Sequence, residues 1–383
     1  MEYPIYLDYN ATTPISKEVA DAMLPYLYDT FGNPSSSHLF GVQAKLAIEL
    51  ARRQVADLLG AQPGEIIFTS GGTEANNHAI RGFCYYHQTI GKHVITSAIE
   101  HPAVMEVCRD LVNEGFELTI LPVDRFGQVN LMDLEKAIRP DTILVSIMHA
   151  NNEVGTLQPI QKLSSITKQH GVVFHTDAAQ SIGKISVNVN ELGVGLLSIA
   201  GHKLYAPKGI GVLYVRNGIT LKNLMFGAGH EGGRRPGTEN LLEIVGIGKA
   251  CAIAKRDLQA NQLHLKETRD FLYHELKKSL GDERIRVNGH PEDRLPNTLS
   301  LSIRGVEAHQ LLNRINDQVA ISAGSACHAD LITVSPVLQA MQVPKDWAQG
   351  TLRFSVGRET TREEILEAVA VIKEAIKLMD NSS

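Results

Sequence analysis

The chain has 383 residues, of which 43% are hydrophobic and 21% charged, and a formal net charge of −5. That is ordinary globular composition, with room for one large domain and a smaller one, or two similar ones. The negative balance speaks against a general polyanion-binding surface, so nucleic acid is not an expected partner. No apolar run approaches the roughly 18 residues of a membrane span. The opening MEYPIYLDYN lacks the basic and then apolar pattern of a signal peptide.

The predicted elements follow from hydrophobic spacing. GVQAKLAIELARRQVADLLG reads as a helix with Val42, Leu46, Leu50, Leu58 and Leu59 on roughly one apolar face and Gly60 as its stop. EIIFTS is a short apolar strand, and TEANNHAIRGFCYY a helix with Thr73 near its start. HVITS, FELTILPV, TILVSIMHA, VVFHTDAA, LLSIA and GVLYVR are further strands, several separated by helical patterns. Near-continuous apolar strands alternating with helices predict an α/β fold whose mainly parallel sheet is covered on both faces. After about residue 240 the texture changes. A helical pattern longer than about 25 residues predicts a connecting helix or a broken pair. TLSLSIRG, a helix from about Glu307, AISAGSAC, TLRFSVG and a terminal helix from about Thr361 form an α+β segment. No flexible linker intervenes, so the two domains are expected to be tightly joined.

Cys84, Cys108, Cys251 and Cys327 are the four cysteines, and none forms a CxxC pair. A disulfide framework and a structural zinc site are therefore not expected, and scattered thiols fit a reducing cytosol. The first three lie in helix-like apolar segments and read as buried small hydrophobes. Cys327 differs. It sits in SAGSACHAD, beside His328, in small polar residues that suit a mobile surface turn.

Five other stretches carry chemistry. In SIAGHKLYAPKGIG, Lys203 follows an apolar strand and His202, which suits a Schiff-base lysine or a solvated surface lysine. In FHTDAAQSIGK, Asp177 leaves an apolar strand, where a carboxylate needs a partner: a protonated pyridine nitrogen, or a helix N-terminus. FTSGGTEANN places two glycines and Thr73 between strand and helix, an anion site or an ordinary capped turn. It is not a nucleotide P-loop, because no Lys-Ser/Thr follows. His101, in AIEHPAV, opens a helix or stacks on a cofactor ring. Arg353, in GTLRFSVG, needs an anion, either a substrate carboxylate or a structural partner.

Taken in order, YLDYNATTP, FGNPSSSH, FTSGGTEANN, HANNEVGTLQPI, HTDAAQSIGK, GHKLYAPKGIG, RRPGTEN, GSAC and LRFSVGR closely resemble the cysteine desulfurases of the class V aminotransferase family, along nearly the whole chain. These enzymes use pyridoxal phosphate. Selenocysteine lyase shares the fold and most motifs, and DYNATTP, RPGTEN, GSACHAD and SPVL resemble that branch at least as much.

The resemblance implies the type I pyridoxal-phosphate-dependent transferase fold. Its large cofactor-binding domain, with a mainly parallel seven-stranded sheet, would span residues 15–257. A smaller α+β domain would span 258–383, with residues 1–14 packing near it. Lys203 would bind the cofactor aldehyde, Asp177 would pair with the pyridine nitrogen, and Gln180 would donate to the ring oxygen. His101 would stack on the ring, and Gly72, Thr73 and His202 would help hold the phosphate. Thr238 would reach the phosphate of a second subunit, which implies a homodimer. Asn152 and Arg353 would hold the substrate carboxylate, Asn152 beside the cofactor as well. Cys327 would take the sulfur. Two departures stand out. Ala200 occupies a position where the family often has a phosphate-binding serine, and Pro102 follows His101 where relatives often carry a polar residue.

The implied activity converts L-cysteine to L-alanine and leaves a persulfide on Cys327. The sulfur then passes to an acceptor or scaffold protein, for iron–sulfur clusters or other delivery, in the cytoplasm and without a metal. The alternatives are a selenocysteine lyase acting on L-selenocysteine and, less favoured because transamination needs no thiol, another class V aminotransferase.

Overall fold

The computed structural model describes residues 3–328 and 331–381, and the side chains among them other than those at 325–333. After the short strand β1 (Ile5–Tyr6) come seven strands: β2 (Ile66–Thr69), β3 (His93–Ser97), β4 (Glu117–Leu121), β5 (Thr142–Ser146), β6 (Val173–Asp177), β7 (Leu196–Ala200) and β8 (Gly211–Val215). They form one sheet in the order β2-β8-β7-β6-β5-β3-β4. Strand β8 runs antiparallel to β2 and β7, and the other pairings are parallel.

Every residue of β2, β3, β5, β7 and β8 is buried. This is why these strands read as apolar runs rather than as alternating patterns. One face, with Ile67, Val94, Leu144 and Leu213, packs on helices Gly72–His87 and Pro102–Asn113 through Ile80, Phe83, Val104 and Leu111. The other, with Phe68, Ile95, Val145, Phe174 and Ile199, packs on helices Leu39–Leu59 and Leu241–Leu280.

Helix Leu39–Leu59 buries a different face from the one its leucines suggest. Gly41, Ala44, Ala47, Ile48, Ala51, Val55, Ala56 and Leu59 point inward. Val42, Leu46 and Leu50 are 42%, 62% and 51% exposed. Close approach decides the matter: a Cβ on Gly248 of the long helix would lie 2.5 Å from the Cβ of Ala51. Small residues therefore take the face against the long helix, and Val42, Leu46 and Leu50 are left outside.

Helix Leu241–Leu280 is continuous over 40 residues, so the connecting-helix reading is the one observed. Leu241, Ile244, Ile247, Cys251 and Ala254 belong to the core of the central sheet. Leu265, Leu272 and Leu276 belong to a second core. That core underlies an antiparallel sheet made by β9 (Ile285–Asn288), β10 (Thr298–Ile303), β12 (Ser322–Ala323) and β15 (Thr351–Ser355), in the order β12-β15-β10-β9. Between β10 and β12, strand β11 (Val319–Ala320) pairs in parallel with β1. Two more strands, β13 (Ser325–His328) and β14 (Leu331–Val334), pair antiparallel as a ribbon with Cys327 opposite Ile332. The backbone around Cys327 is thus paired strand rather than turn, and its side chain lies outside the described residues. Among the described residues no helix is long and apolar enough to cross a membrane.

Candidate active site

Parallel α/β sheets bind ligands beyond the carboxyl ends of their strands. Here β2 leads to Gly72 and Thr73, β3 to His101, β5 to Asn152, β6 ends at Asp177 with Gln180 following, and β7 leads to His202 and Lys203. Arg353 comes from β15 of the second sheet. All of these line one cavity of about 280 Å³, together with Asn10, Ala11, Asn76, Met148 and Ala200. Thr238 lies outside this cavity and is exposed. A larger groove of about 540 Å³ runs past Ser35, Arg52, His230 and Glu231, and the lysine among its lining residues, Lys45, is exposed.

Lys203 sits in a short turn after β7 and donates to the carbonyls of Asn10 and Ala11, both at 2.6 Å. Burial, then repulsion from Arg353, lowers its pKa to about 8, against the pull of Asp8 and Asp177. Two cavity histidines are also held toward the neutral form. Burial brings His202 down to about 4, and its Nδ1 faces the Thr12 hydroxyl at 3.2 Å. His101 caps helix Pro102–Asn113: its Nδ1 accepts from the Ala103 N–H at 3.1 Å. When neutral it therefore carries its proton on Nε2. Enclosure lowers its pKa, and nearby Asp177 opposes the shift.

Asp177 is 7% exposed and doubly held. Its Oδ2 accepts from Asn76 Nδ2 at 2.7 Å and its Oδ1 from the Ala179 N–H at 2.9 Å. The Oδ1 of Asn76 is buried and has no partner among the described residues. Arg353 Nη2 pairs with Asp8 Oδ1 at 2.7 Å and donates to Ser322 Oγ at 3.0 Å, while Nη1 donates to the Asn152 carbonyl at 3.2 Å. Among the described residues its buried Nε has no partner. A guanidinium fixed on one edge with a free donor on the other suits a carboxylate.

Sequence reasoning assigned no role to Asp8, Asn10, Asn76 or Lys184. Asn10 is a hub. Its carbonyl accepts from Lys203 and from Gln180 Nε2 at 3.0 Å, and its Nδ2 donates to the Asn152 carbonyl and Thr298 Oγ1. Asp8 and Asn10 do lie in the motif YLDYNATTP, and Lys184 in HTDAAQSIGK, but nothing local shows what they touch. The remaining thiols are remote from this chemistry: Cys84, Cys108 and Cys251 are buried, and burial pushes each pKa up.

The chain belongs to the class-V aminotransferase family, whose model matches residues 5–367. Its curated relatives include a cysteine desulfurase IscS of Dictyoglomus turgidum, 48% identical over 98% of this chain and 95% of its own length. Another, from Methanosarcina thermophila, is 44% identical over 99% of this chain and 93% of its own. Among solved structures, a NifS-like protein is 36% identical and superposes with a TM-score of 0.92, covering 98% of this chain and 100% of its own. SspA in complex with cysteine is 36% identical, with a TM-score of 0.82 over 93% of this chain and 99% of its own. Relatives bearing the desulfurase name do not favour the selenocysteine lyase alternative.

Proposed function

We infer that this chain is a cysteine desulfurase. It removes sulfur from L-cysteine, leaving L-alanine, with pyridoxal phosphate as cofactor and Cys327 as first sulfur acceptor. The observation that supports this most is convergence in one cavity: a lysine amine with a depressed pKa, a buried carboxylate, an imidazole, a helix start and a guanidinium with a free donor. The residues also fit the group in size and chemistry. Gly72 keeps the helix start open beside Ala200, whose Cβ would lie 3.1 Å from a Cβ there, and the orphan Asn76 Oδ1 faces a polar partner still to come.

When bound, pyridoxal phosphate supplies an electron sink for charge developing at the substrate α-carbon. Asp177 would pair with the pyridine nitrogen and keep its proton in place, and Asn76 fixes the carboxylate. Gly72, Thr73 and His202 would hold the phosphate, and Gln180 the ring oxygen. Ala200 offers no hydroxyl, so that wall gives the phosphate one contact fewer. Asn152 and the free edge of Arg353 hold the substrate carboxylate. The Lys203 amine would bind the cofactor aldehyde and, when free, would move the α-proton, and His101 Nε2 would stand ready for a second transfer. The Cys327 thiolate attacks the substrate sulfur. The S–S bond forms as the Cβ–S bond breaks, and Cβ keeps that electron pair and takes a proton. Alanine leaves and Cys327 holds a persulfide.

The same reading includes two domains, 15–257 and 258–383, and a homodimer in which Thr238 reaches the partner's phosphate. The exposed apolar side chains Leu24, Tyr28, Phe31, Leu39, Leu46 and Phe226 support the dimer, since a second subunit would cover such side chains. A cytoplasmic setting and delivery to an acceptor protein for iron–sulfur cluster assembly complete it. The test is alanine formation by the pyridoxal-phosphate-loaded chain from L-cysteine and from L-selenocysteine. Turnover of cysteine supports the reading. Turnover of selenocysteine alone overturns it in favour of a lyase.

A further inference from the structure

Lys184 is among the buried charged side chains to which the scheme above gives no task. Lys184 is 6% exposed. Lysines are almost never so buried unless paired, yet among the described residues Lys184 forms no ion pair. The charges it feels, Lys203, Arg353 and Arg358, are all positive, and with burial they push its pKa well below the usual lysine range. A position that hostile to a cation needs a reason.

The local chain delivers it there deliberately. The N–H groups of Ser181 and Ile182 return to the Ala178 carbonyl, and that of Lys184 to Ser181. Between them Gly183 has φ 71°, and a Cβ on it would lie 2.1 Å from Leu204 Cδ1. Only glycine permits this turn. It folds Lys184 back under Gln180, where Nζ donates to Gln180 Oε1 at 2.9 Å and to Asn10 Oδ1 at 3.2 Å.

The two partners are amides, and an amide can present either end. An ammonium has no acceptor, and a neutral amine has a single lone pair for two amides. Lys184 therefore draws the amide oxygens toward itself and turns the NH₂ groups away. Gln180 Nε2 consequently faces the Asn10 carbonyl on the cavity wall, the same oxygen that accepts from Lys203. Asn297 Nδ2, donating to Asn10 Oδ1 at 3.0 Å, reinforces the second amide.

We propose that Lys184 is a positioning residue that sets the Gln180 amide so that its N–H, and not its oxygen, is offered to the ring oxygen of the cofactor. This rests on reading the cavity as a pyridoxal phosphate site. A hydrogen bond donated to that oxygen favours the form with more negative charge on it, and so holds down the proton midpoint of the bound chromophore. A flipped amide would do the opposite.

The experiment loads wild type, Lys184→Met, Gln180→Met and the double variant with pyridoxal phosphate and titrates the absorbance with pH, with thermal unfolding recorded alongside. Both single variants should raise the midpoint by about half to one pH unit. The double variant should rise no further than the larger single shift, because Lys184 acts through Gln180. An unmoved midpoint in Lys184→Met, or shifts that add in the double variant, overturns the inference. If Lys184→Met folds poorly, Lys184→Gln decides: its amide keeps an N–H for Gln180 Oε1, so the wild-type midpoint should persist, and a raised midpoint overturns the role. A wild-type chain that takes up no pyridoxal phosphate overturns the site reading and the inference together, whereas an unmoved Lys184→Met overturns the inference alone.

Discussion

In the cofactor-free chain, the Lys203 amine should titrate near pH 8 rather than in the ordinary lysine range. The reacting form is the neutral amine. At pH 7 a group with a midpoint near 8 is about 10% neutral, whereas an ordinary lysine near 10.4 is about 0.04% neutral, a gap of roughly 200-fold. The sign follows from burial, which disfavours the charged form. The advantage is therefore largest at and below neutral pH, shrinks as the pH rises from about 8, and is gone well above about pH 10.4, where both amines are neutral. Trace labelling with acetic anhydride across the pH range, read by mass spectrometry on the Lys203 peptide, measures the midpoint directly. Arg353→Met should raise it only part of the way, because repulsion from Arg353 is the second cause and burial the first. A wild-type midpoint above about 10 would refute the reasoning, since it would mean that the amine keeps its hydration. Full recovery in Arg353→Met would mean that charge, not burial, sets the shift.

Asp177→Asn should still bind pyridoxal phosphate but lose at least about 100-fold in alanine formation, because an amide cannot hold the pyridine proton by charge. Activity within a few fold of wild type would remove Asp177 from that role. Glu231 accepts a bidentate pair from Arg52, at 2.7 and 2.8 Å, and anchors the chain before Thr238. Glu231→Gln should cost about 3–5 kcal/mol in urea unfolding, as removing one partner of a buried pair does, and adding Arg52→Met should recover part of it. Leu46→Asp, on the exposed face of helix Leu39–Leu59, should shift the chain from dimer to monomer by sedimentation and weaken cofactor retention. A monomeric wild type would contradict the dimer.

Much of this architecture could be read from residue order. Fully buried strands leave continuous apolar runs, so β2, β3, β5, β7 and β8 announced themselves, and residues that follow several of them could be picked as candidates. Helix Leu39–Leu59 could not be oriented in the same way. Leucine spacing marks an apolar face but does not say whether the chain's own core or another surface covers it. Here the close approach at Gly248 reserved the inside for alanines. The long-range partners were equally hidden. Asp8 meets Arg353 across 345 residues, and Asn10 joins Lys203 across 193, contacts that no local period encodes. Lys184 carried no signal of its own, since nothing local tells a buried lysine after Ile-Gly from a solvated one. Only the fold shows it beneath Gln180.

The central claim is that sulfur passes from the substrate to Cys327, and intact-mass and peptide mass spectrometry after a single turnover with L-cysteine tests it most directly. The account expects one added sulfur atom on the Cys327 peptide of the wild-type chain, removable by a thiol reductant, and none in Cys327→Ser, although the cofactor spectrum of that variant still changes when cysteine binds. Alanine released at the wild-type rate by Cys327→Ser, or added sulfur on another cysteine in the wild-type chain, would contradict it.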